Sequence, residues 1–291
     1  MPMPRDTFLS LPSPFEIAPG TVWLNESPGA DPAALRLRLR NGEYERPFVI
    51  DDGEHLTLYL GSIELMQTVM DKARPDALVP GYGPWMMAWR LFLPAAGELV
   101  MIGLGGGALA RHCHHHLPRA QLTVVELAPA VLAWRAHFGL PPDDARFRVC
   151  VADGAAFLAE HPGGIDVLMI DAFDEMGFAP GLSRPEAVAD AHAALASSGI
   201  LVANLAGPAA AYQSFLAAVR ECFDDRLIAV PVPADGNHVL LAFKDRSVRP
   251  VWHHLHRRAA ALAEPDGPDF AAFVRQAERV GWRRLPGTLA P

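Results

Sequence analysis

Four acidic residues stand where an apolar run of the sequence ends, and each is placed to meet a ligand. Glu126 closes Leu122-Thr-Val-Val-Glu, Asp153 with Gly154 follows Phe147-Arg-Val-Cys-Val, and Asp171 and Asp174 follow Ile165-Asp-Val-Leu-Met-Ile. Ahead of them Gly103-Leu104-Gly105-Gly106-Gly107 follows Leu99-Val-Met-Ile and precedes a helical pattern. Glycines in that position let the backbone turn sharply and let a ligand approach main-chain N–H groups at a helix N-terminus. Glu126 lies 21 positions after Gly105, the place for a carboxylate that accepts both hydroxyls of a ribose. A carboxylate at Asp153 can meet an adenine amino group. Acids at strand ends also cap helices, and Asp174 and Glu175 fit either role. Asp171 follows five largely apolar residues and would aim its charge at the reactive end of a bound nucleoside.

These residues need a scaffold that brings strand ends to one rim. Compact apolar runs at Leu99–Ile102, Leu122–Val125, Phe147–Val151, Ile165–Ile170 and Gly199–Leu205 alternate with helical patterns at Ala108–His116, Pro129–Phe138, Gly154–Ala159 and Pro185–Ala196. Strands apolar on both faces and separated by helices predict a parallel sheet covered on both sides, an α/β fold. Ala209–Cys222 reads as one more helix. Asp235-Gly236 between apolar runs predicts a closing antiparallel hairpin. Arg249–Pro291 reads as two surface helices broken by Pro265-Asp-Gly-Pro.

Upstream, Thr21–Asn25, Leu35–Arg40, Arg46–Ile50 and His55–Leu60 read as short strands, the second and last by their period-two alternation. Ser62–Lys72 and Gly83–Phe92 carry apolar residues at helical spacing. The expected domains are 1–78, a β domain with a connecting helix; 79–246, a nucleotide-binding α/β domain; and 247–291, a helical tail.

Composition agrees with an enzyme of one large or two modest domains: 291 residues, 51% apolar and 20% charged. A formal charge of -8 opposes a phosphate-binding surface, which argues against nucleic acid as the main partner and welcomes a cationic small molecule. Cys113, Cys150 and Cys222 form no stapled framework, the start of the chain lacks a signal-peptide core, and no apolar run nears the ~18 residues of a membrane span. A cytoplasmic protein is expected. The loop spacing G-x-G-G-G departs from the dinucleotide G-x-G-x-x-G, and the terminal hairpin is unlike a nicotinamide domain, so a ligand of the S-adenosylmethionine type is favoured over NAD.

From about Leu56 to Leu205 the chain resembles the spermidine synthase (polyamine aminopropyltransferase) family, above all its bacterial spermidine-synthase-like branch. The residues that carry the likeness are Ile102-Gly-Leu-Gly-Gly-Gly-Ala-Leu-Ala-Arg111, Val124-Val-Glu126-Leu, Asp153-Gly154, Asp171-Ala-Phe-Asp174 and, upstream, Leu60-Gly61 with Gln67. The resemblance implies a class I S-adenosylmethionine-dependent methyltransferase-like, Rossmann-like sheet with a small N-terminal β domain. It also implies decarboxylated S-adenosylmethionine as donor, a small-molecule amine acceptor and a homodimer. By the same match Gln67, Gly103, Gly105, Gly107, Glu126, Asp153 and Gly154 would hold the donor. Asp171 and Asp174 would hold the acceptor amine.

The chain also departs from the family. Its glycine loop usually carries an acid for the donor's terminal ammonium, and the matching residue here is Gly106; Glu175 replaces the family's Pro, and Tyr82-Gly-Pro stands for its Tyr-His-Glu. Without the loop acid, intact S-adenosylmethionine becomes admissible, which keeps a methyltransferase as the alternative. A non-catalytic adenosine-binding protein is the third reading. His112, His115 and His116 lack a zinc spacing and read as a solvated helix face, so no metal is expected. Trp85, Met86, Met87 and Trp89 read as packing residues.

Overall fold

Two compact units divide the chain among the described residues: Met1–Val79 with Gly105–His115 and Ala128–Pro142, and Pro80–Leu104 with His116–Leu127 and Asp143–Pro291. The computed structural model describes residues 8–27, 29–79, 81–174, 177–265 and 267–281, the side chain of Asp174 excepted. No described helix is long and apolar enough to cross a membrane.

The first unit is built on an antiparallel sheet in sequential order, β1 (Leu9–Pro12), β2 (Thr21–Leu24), β3 (Pro47–Asp51), β4 (His55–Leu60) and β5 (Met66–Asp71). Helix α1 (Pro32–Asn41) replaces the strand expected at Leu35–Arg40. Local signals outweigh the alternation. Asp31 accepts from the Ala33 N–H at 2.9 Å as N-cap, Pro32 opens the helix, and Gly42 closes it at φ 69°. Leu35 and Leu39, one turn apart, are buried while Leu37 is exposed, which is a helix's use of the same letters. The helix expected over Ser62–Lys72 is also corrected: a turn closed by Leu65 N–H to Ser62 O folds the chain straight back, and Met66–Asp71 pairs with β4. The core here is Val22, Leu24, Leu35, Leu39, Tyr44, Phe48, Ile50 and Tyr59, with Phe48 and Tyr59 stacked across the strands at 5.2 Å.

The second unit carries a seven-stranded sheet among the described residues: β6 (Glu98–Ile102), β7 (Gln121–Glu126), β8 (Phe147–Val151), β9 (Ile165–Ile170), β12 (Leu195–Leu205), β13 (Leu227–Pro231) and β14 (His238–Phe243). Its order is β13-β14-β12-β9-β6-β7-β8, with β14 reversed against its neighbours. The closing hairpin is therefore as expected. A short pair, β10 (Phe173–Asp174) and β11 (Gly177–Phe178), follows β9. Helices α5 (Gly154–Glu160), α6 (Pro185–Ala194) and α7 (Ala209–Cys222) bury Ile102, Leu168, Ile170, Leu201, Ala203 and Leu205. Helix α2 (Tyr82–Met86), the 3-10 turn Met87–Leu91 and the last helices, α8 (Trp252–Ala261) and α9 (Phe270–Val280), complete the unit.

Helices α3 (Ala108–His116) and α4 (Pro129–Leu132) match their predicted starts. Compactness divides the chain differently from the linear partition at 78 and 246. Arg111 of α3 donates to Pro75 O at 2.6 Å and to Phe138 O at 2.5 Å, so these segments close on the first unit. The tail is no separate layer, because Phe270, Phe273, Val274 and Ala277 of α9 are buried and Phe273 meets Trp85 edge-on at 5.6 Å. Trp85, Met86, Met87 and Trp89 are buried, as expected of packing residues.

Candidate active site

All the parallel strands of the second unit end at one rim, and Glu126, Asp153 and Asp171 stand at the ends of β7, β8 and β9 there. In open α/β sheets ligands bind in the crevice outside the carboxyl ends of the strands, at that edge. The rim is stitched at its centre. Gly103 N–H donates to Val125 O at 2.8 Å, and Asp171 N–H donates to Ile102 O at 2.9 Å. Gly103 has φ 95°, and a Cβ on it would lie 2.1 Å from the carbonyl oxygen of Asp171. Any larger residue would push the ends of β6 and β9 apart, so this glycine fixes where Asp171 stands.

Asp171 is the most constrained group of the rim. Its Oδ1 accepts from Asn204 Nδ2 at 2.9 Å and its Oδ2 from the Tyr82 hydroxyl at 3.0 Å. Burial pushes the carboxyl above its ordinary value, and the two hydrogen bonds oppose that rise by stabilising the anion. The Tyr82 phenol is held well above 10, first by the negative charge of Asp171, then by burial, the shared hydrogen bond and Asp235. It therefore stays protonated and donates. The outcome is a partly buried carboxyl group with both oxygens oriented, each keeping acceptor capacity for a cationic or amine ligand.

Glu126 ends β7, and its Oε2 accepts from the Leu104 N–H at 2.8 Å. Asp153 caps α5, its Oδ1 accepting from Ala156 N–H at 2.9 Å. This is the capping role that an acid at a strand end also fits. Gly154 lets α5 begin close to β6, since a Cβ there would lie 2.4 Å from Ile102 Cγ2.

Gln67, Gly105 and Gly107 belong to the first unit. Gly106 N–H donates to Thr68 Oγ1 at 2.8 Å, and Thr68 Oγ1 donates to Gln67 O at 2.7 Å. A Cβ on Gly106 would lie 2.8 Å from both Thr68 Cβ and Thr68 Cγ2 and 3.1 Å from Phe138 Cδ1. Thr68 thus fills the space an acidic side chain would need, and the missing loop carboxylate is a packed feature of the fold.

Asp174 has its backbone in β10; its side chain, like Glu175, lies outside the described residues. The solvated histidine face is corrected for His112, which is 2% exposed, with Nδ1 3.0 Å from Asp76 O. His115 lies 3.5 Å from Asp76. Among the described residues no group of His, Cys, Asp and Glu is arranged to hold a metal.

Tyr82, Asn204, Asp235 and Asn237 join Asp171 in one hydrogen-bonded group, and the sequence reading gave them no role beyond matching Tyr82 to the family's Tyr-His-Glu segment. Asn204 left a signal, a lone amide in the apolar run Ile200-Leu-Val-Ala-Asn-Leu, buried to 2% exposure and therefore in need of partners. Asp235 and Asn237 were legible only as turn residues.

No protein-family profile matches the chain. It is 32% identical over 229 residues to a polyamine aminopropyltransferase of Chromobacterium violaceum, covering 78% of this chain and 87% of that one. It is 32% identical over 237 residues to the polyamine aminopropyltransferase of Neisseria meningitidis serogroup A, covering 81% and 90%. A solved spermidine synthase in complex with the transition-state analogue AdoDATO shares the fold with a TM-score of 0.63 at 17% identity, over 80% of this chain and 82% of the other. The chain spans 87% and 90% of these relatives at 32% identity, and it belongs to the polyamine aminopropyltransferase family.

Proposed function

We propose that the aminopropyl transfer takes place at Asp171, with decarboxylated S-adenosylmethionine as donor and a small alkylamine as acceptor. One observation carries this: Asp171 is a partly buried rim carboxylate whose oxygens are both oriented, by Asn204 and by Tyr82. An alkylamine with a pKa near 10.4 gives up its proton at a cost of about 4.6 kcal/mol at pH 7. An ordinary Asp, near 3.9, is about six units too weak to take that proton outright. Asp171 first holds the ammonium, and its raised pKa narrows the gap.

As the amine nitrogen attacks the methylene beside the sulfonium, the new C–N bond forms and the C–S bond breaks. The electron pair of that bond stays on sulfur and methylthioadenosine leaves. The held ammonium has no lone pair until it gives up one proton, which passes to Asp171 directly or through water as the attack begins, and the alkylated product then carries the positive charge as a secondary ammonium.

Gly103, Glu126, Asp153 and Gly154 are the proposed donor contacts in the second unit; Gln67, Gly105 and Gly107 are kept as proposed donor contacts from the sequence alone. Glu126 takes the ribose hydroxyls, and Asp153 the adenine amino group through the oxygen its cap leaves over. Asp174 is kept as the second acid on the acceptor side from the sequence alone. A cytoplasmic homodimer is part of the same proposal and rests on the family resemblance.

A second reading, use of intact S-adenosylmethionine, is favoured by Thr68, which excludes an acid from position 106 and so removes a repulsion against the donor's carboxylate. Incubation with each donor and a panel of amines separates the two. Methylthioadenosine from the decarboxylated donor supports aminopropyl transfer. S-adenosylhomocysteine without methylthioadenosine would replace it by methylation, and donor binding without either product would leave a binding protein.

A further inference from the structure

The two side chains that hold Asp171 are themselves held, and by one short turn. The β13–β14 hairpin is closed by Val232 N–H to Asn237 O at 2.7 Å and Gly236 N–H to Val232 O at 3.1 Å. On one side Asp235 Oδ2 accepts from the Tyr82 N–H at 2.8 Å, gripping the first residue of α2. A Cβ on Gly81 would lie 2.8 Å from that same oxygen, so the close approach requires glycine there. On the other side Asn237 Nδ2 donates to Asn204 Oδ1 at 3.1 Å. Asp235 Oδ1 accepts from Asn237 N–H at 3.1 Å and links the two grips. With Tyr82 on Oδ2 and Asn204 on Oδ1 of Asp171, the chain of hydrogen bonds closes into a ring.

The ring has a direction. A carboxylate only accepts, so Asn204 must turn its Nδ2 to Asp171 and its Oδ1 away. That buried oxygen needs a donor, and the Asn237 amide supplies one. Without it nothing but Asp171 selects between the two orientations of the Asn204 amide. The negative charge of Asp235 adds, after the charge of Asp171, burial and their shared hydrogen bond, to what holds the Tyr82 phenol protonated.

We propose that Asn237 and Asp235 are positioning residues for the transfer: the hairpin sets the amide orientation of Asn204 and the seat of Tyr82, and through them the protonation of Asp171. This rests on Asp171 being the acceptor-side group. Among the described residues the groups on Asp171 are Tyr82 and Asn204; Asp235 faces Tyr82. His238 lies opposite Leu205 in the ladder, one step from Asn204, and so presents to the other face of the sheet.

Asn237→Asp is the sharpest test, because it puts an acceptor where a donor is required. Asn204 must then flip to serve the new carboxylate and turn its oxygen on Asp171. The acid limb of kcat/KM for the amine should move up by about one pH unit or more, with the donor's dissociation constant unchanged. Asn237→Ala, which only frees the amide, should move the limb less, and Asp235→Ala should lower kcat through Tyr82 while leaving donor affinity intact. An unmoved limb in both Asn237 variants, or a loss that falls on donor binding, overturns the inference. Should Asp171→Asn retain wild-type turnover, the underlying assignment fails first, and that outcome is distinct from the others.

Discussion

The hydroxyl of Tyr82 donates to Oδ2 of Asp171 across 3.0 Å, joining residues 89 positions apart in the sequence. Tyr82 comes from a helix of five residues and Asp171 from the end of β9, so the pair exists only in the folded unit. The bond stabilises the carboxylate against the burial that raises its pKa. Tyr82→Phe removes it, and the sign follows: with less stabilisation of the anion, the folded-state pKa of Asp171 rises further. A hydrogen bond to a charged group is worth ~1.5–3 kcal/mol, about one to two pH units. The acid limb of turnover should shift upward by that amount, as a pH–rate series on the two proteins would read. A limb that moves down, or stays, contradicts the role of the phenol.

Glu126 tests the donor side. Glu126→Gln keeps an oxygen for the Leu104 N–H but halves the acceptor capacity offered to a ribose. The donor's KM is expected to rise about tenfold or more, the size of one or two lost charge-assisted bonds, while kcat changes little. Equal KM with a reduced kcat would move Glu126 out of the nucleoside site.

Thr68 and Gly106 make a prediction about packing. Gly106→Asp alone drives a side chain into Thr68 and Phe138 and should cost ~1–3 kcal/mol, seen as a lower melting temperature. Adding Thr68→Gly removes the two nearest atoms and should recover part of that loss. On the family's pattern of an acid at position 106 for the donor's terminal ammonium, the double variant should also prefer the decarboxylated donor more strongly than the wild type does. A single variant as stable as the wild type would show that the slot is not filled.

What was legible in the sequence follows from the range of the forces involved. The five parallel strands, the closing hairpin and the rim acids were readable because apolar runs and strand-end residues are local signals. Leu35–Arg40 misled because alternating leucines satisfy a strand on paper, while the decisive groups, Asp31, Pro32 and Gly42, flank the run. Ser62–Lys72 misled because its strand is dictated by a turn and a partner, β4, and not by its own periodicity. The ring around Asp171 was the least legible part. Tyr82, Asn204, Asp235 and Asn237 come from two elements and a turn, and only the buried amide of Asn204 hinted that it needed partners.

The C-terminal helices offer a stability check of their own. Phe273 is 1% exposed and meets Trp85 edge-on. Phe273→Ala should cost ~3–5 kcal/mol in chemical denaturation, as for a core aromatic. A loss below about 1 kcal/mol, ordinary for a surface helix, would return α9 to the periphery.

Asp171→Asn bears most directly on the whole account. The amide can accept from Asn204 and donate to the Tyr82 oxygen, so the ring can close without the charge. Methylthioadenosine release from decarboxylated S-adenosylmethionine and an amine should be followed in wild type and variant, alongside donor affinity by calorimetry. The account predicts turnover reduced by ~10²–10⁴-fold with donor affinity preserved; wild-type turnover in the variant would contradict it.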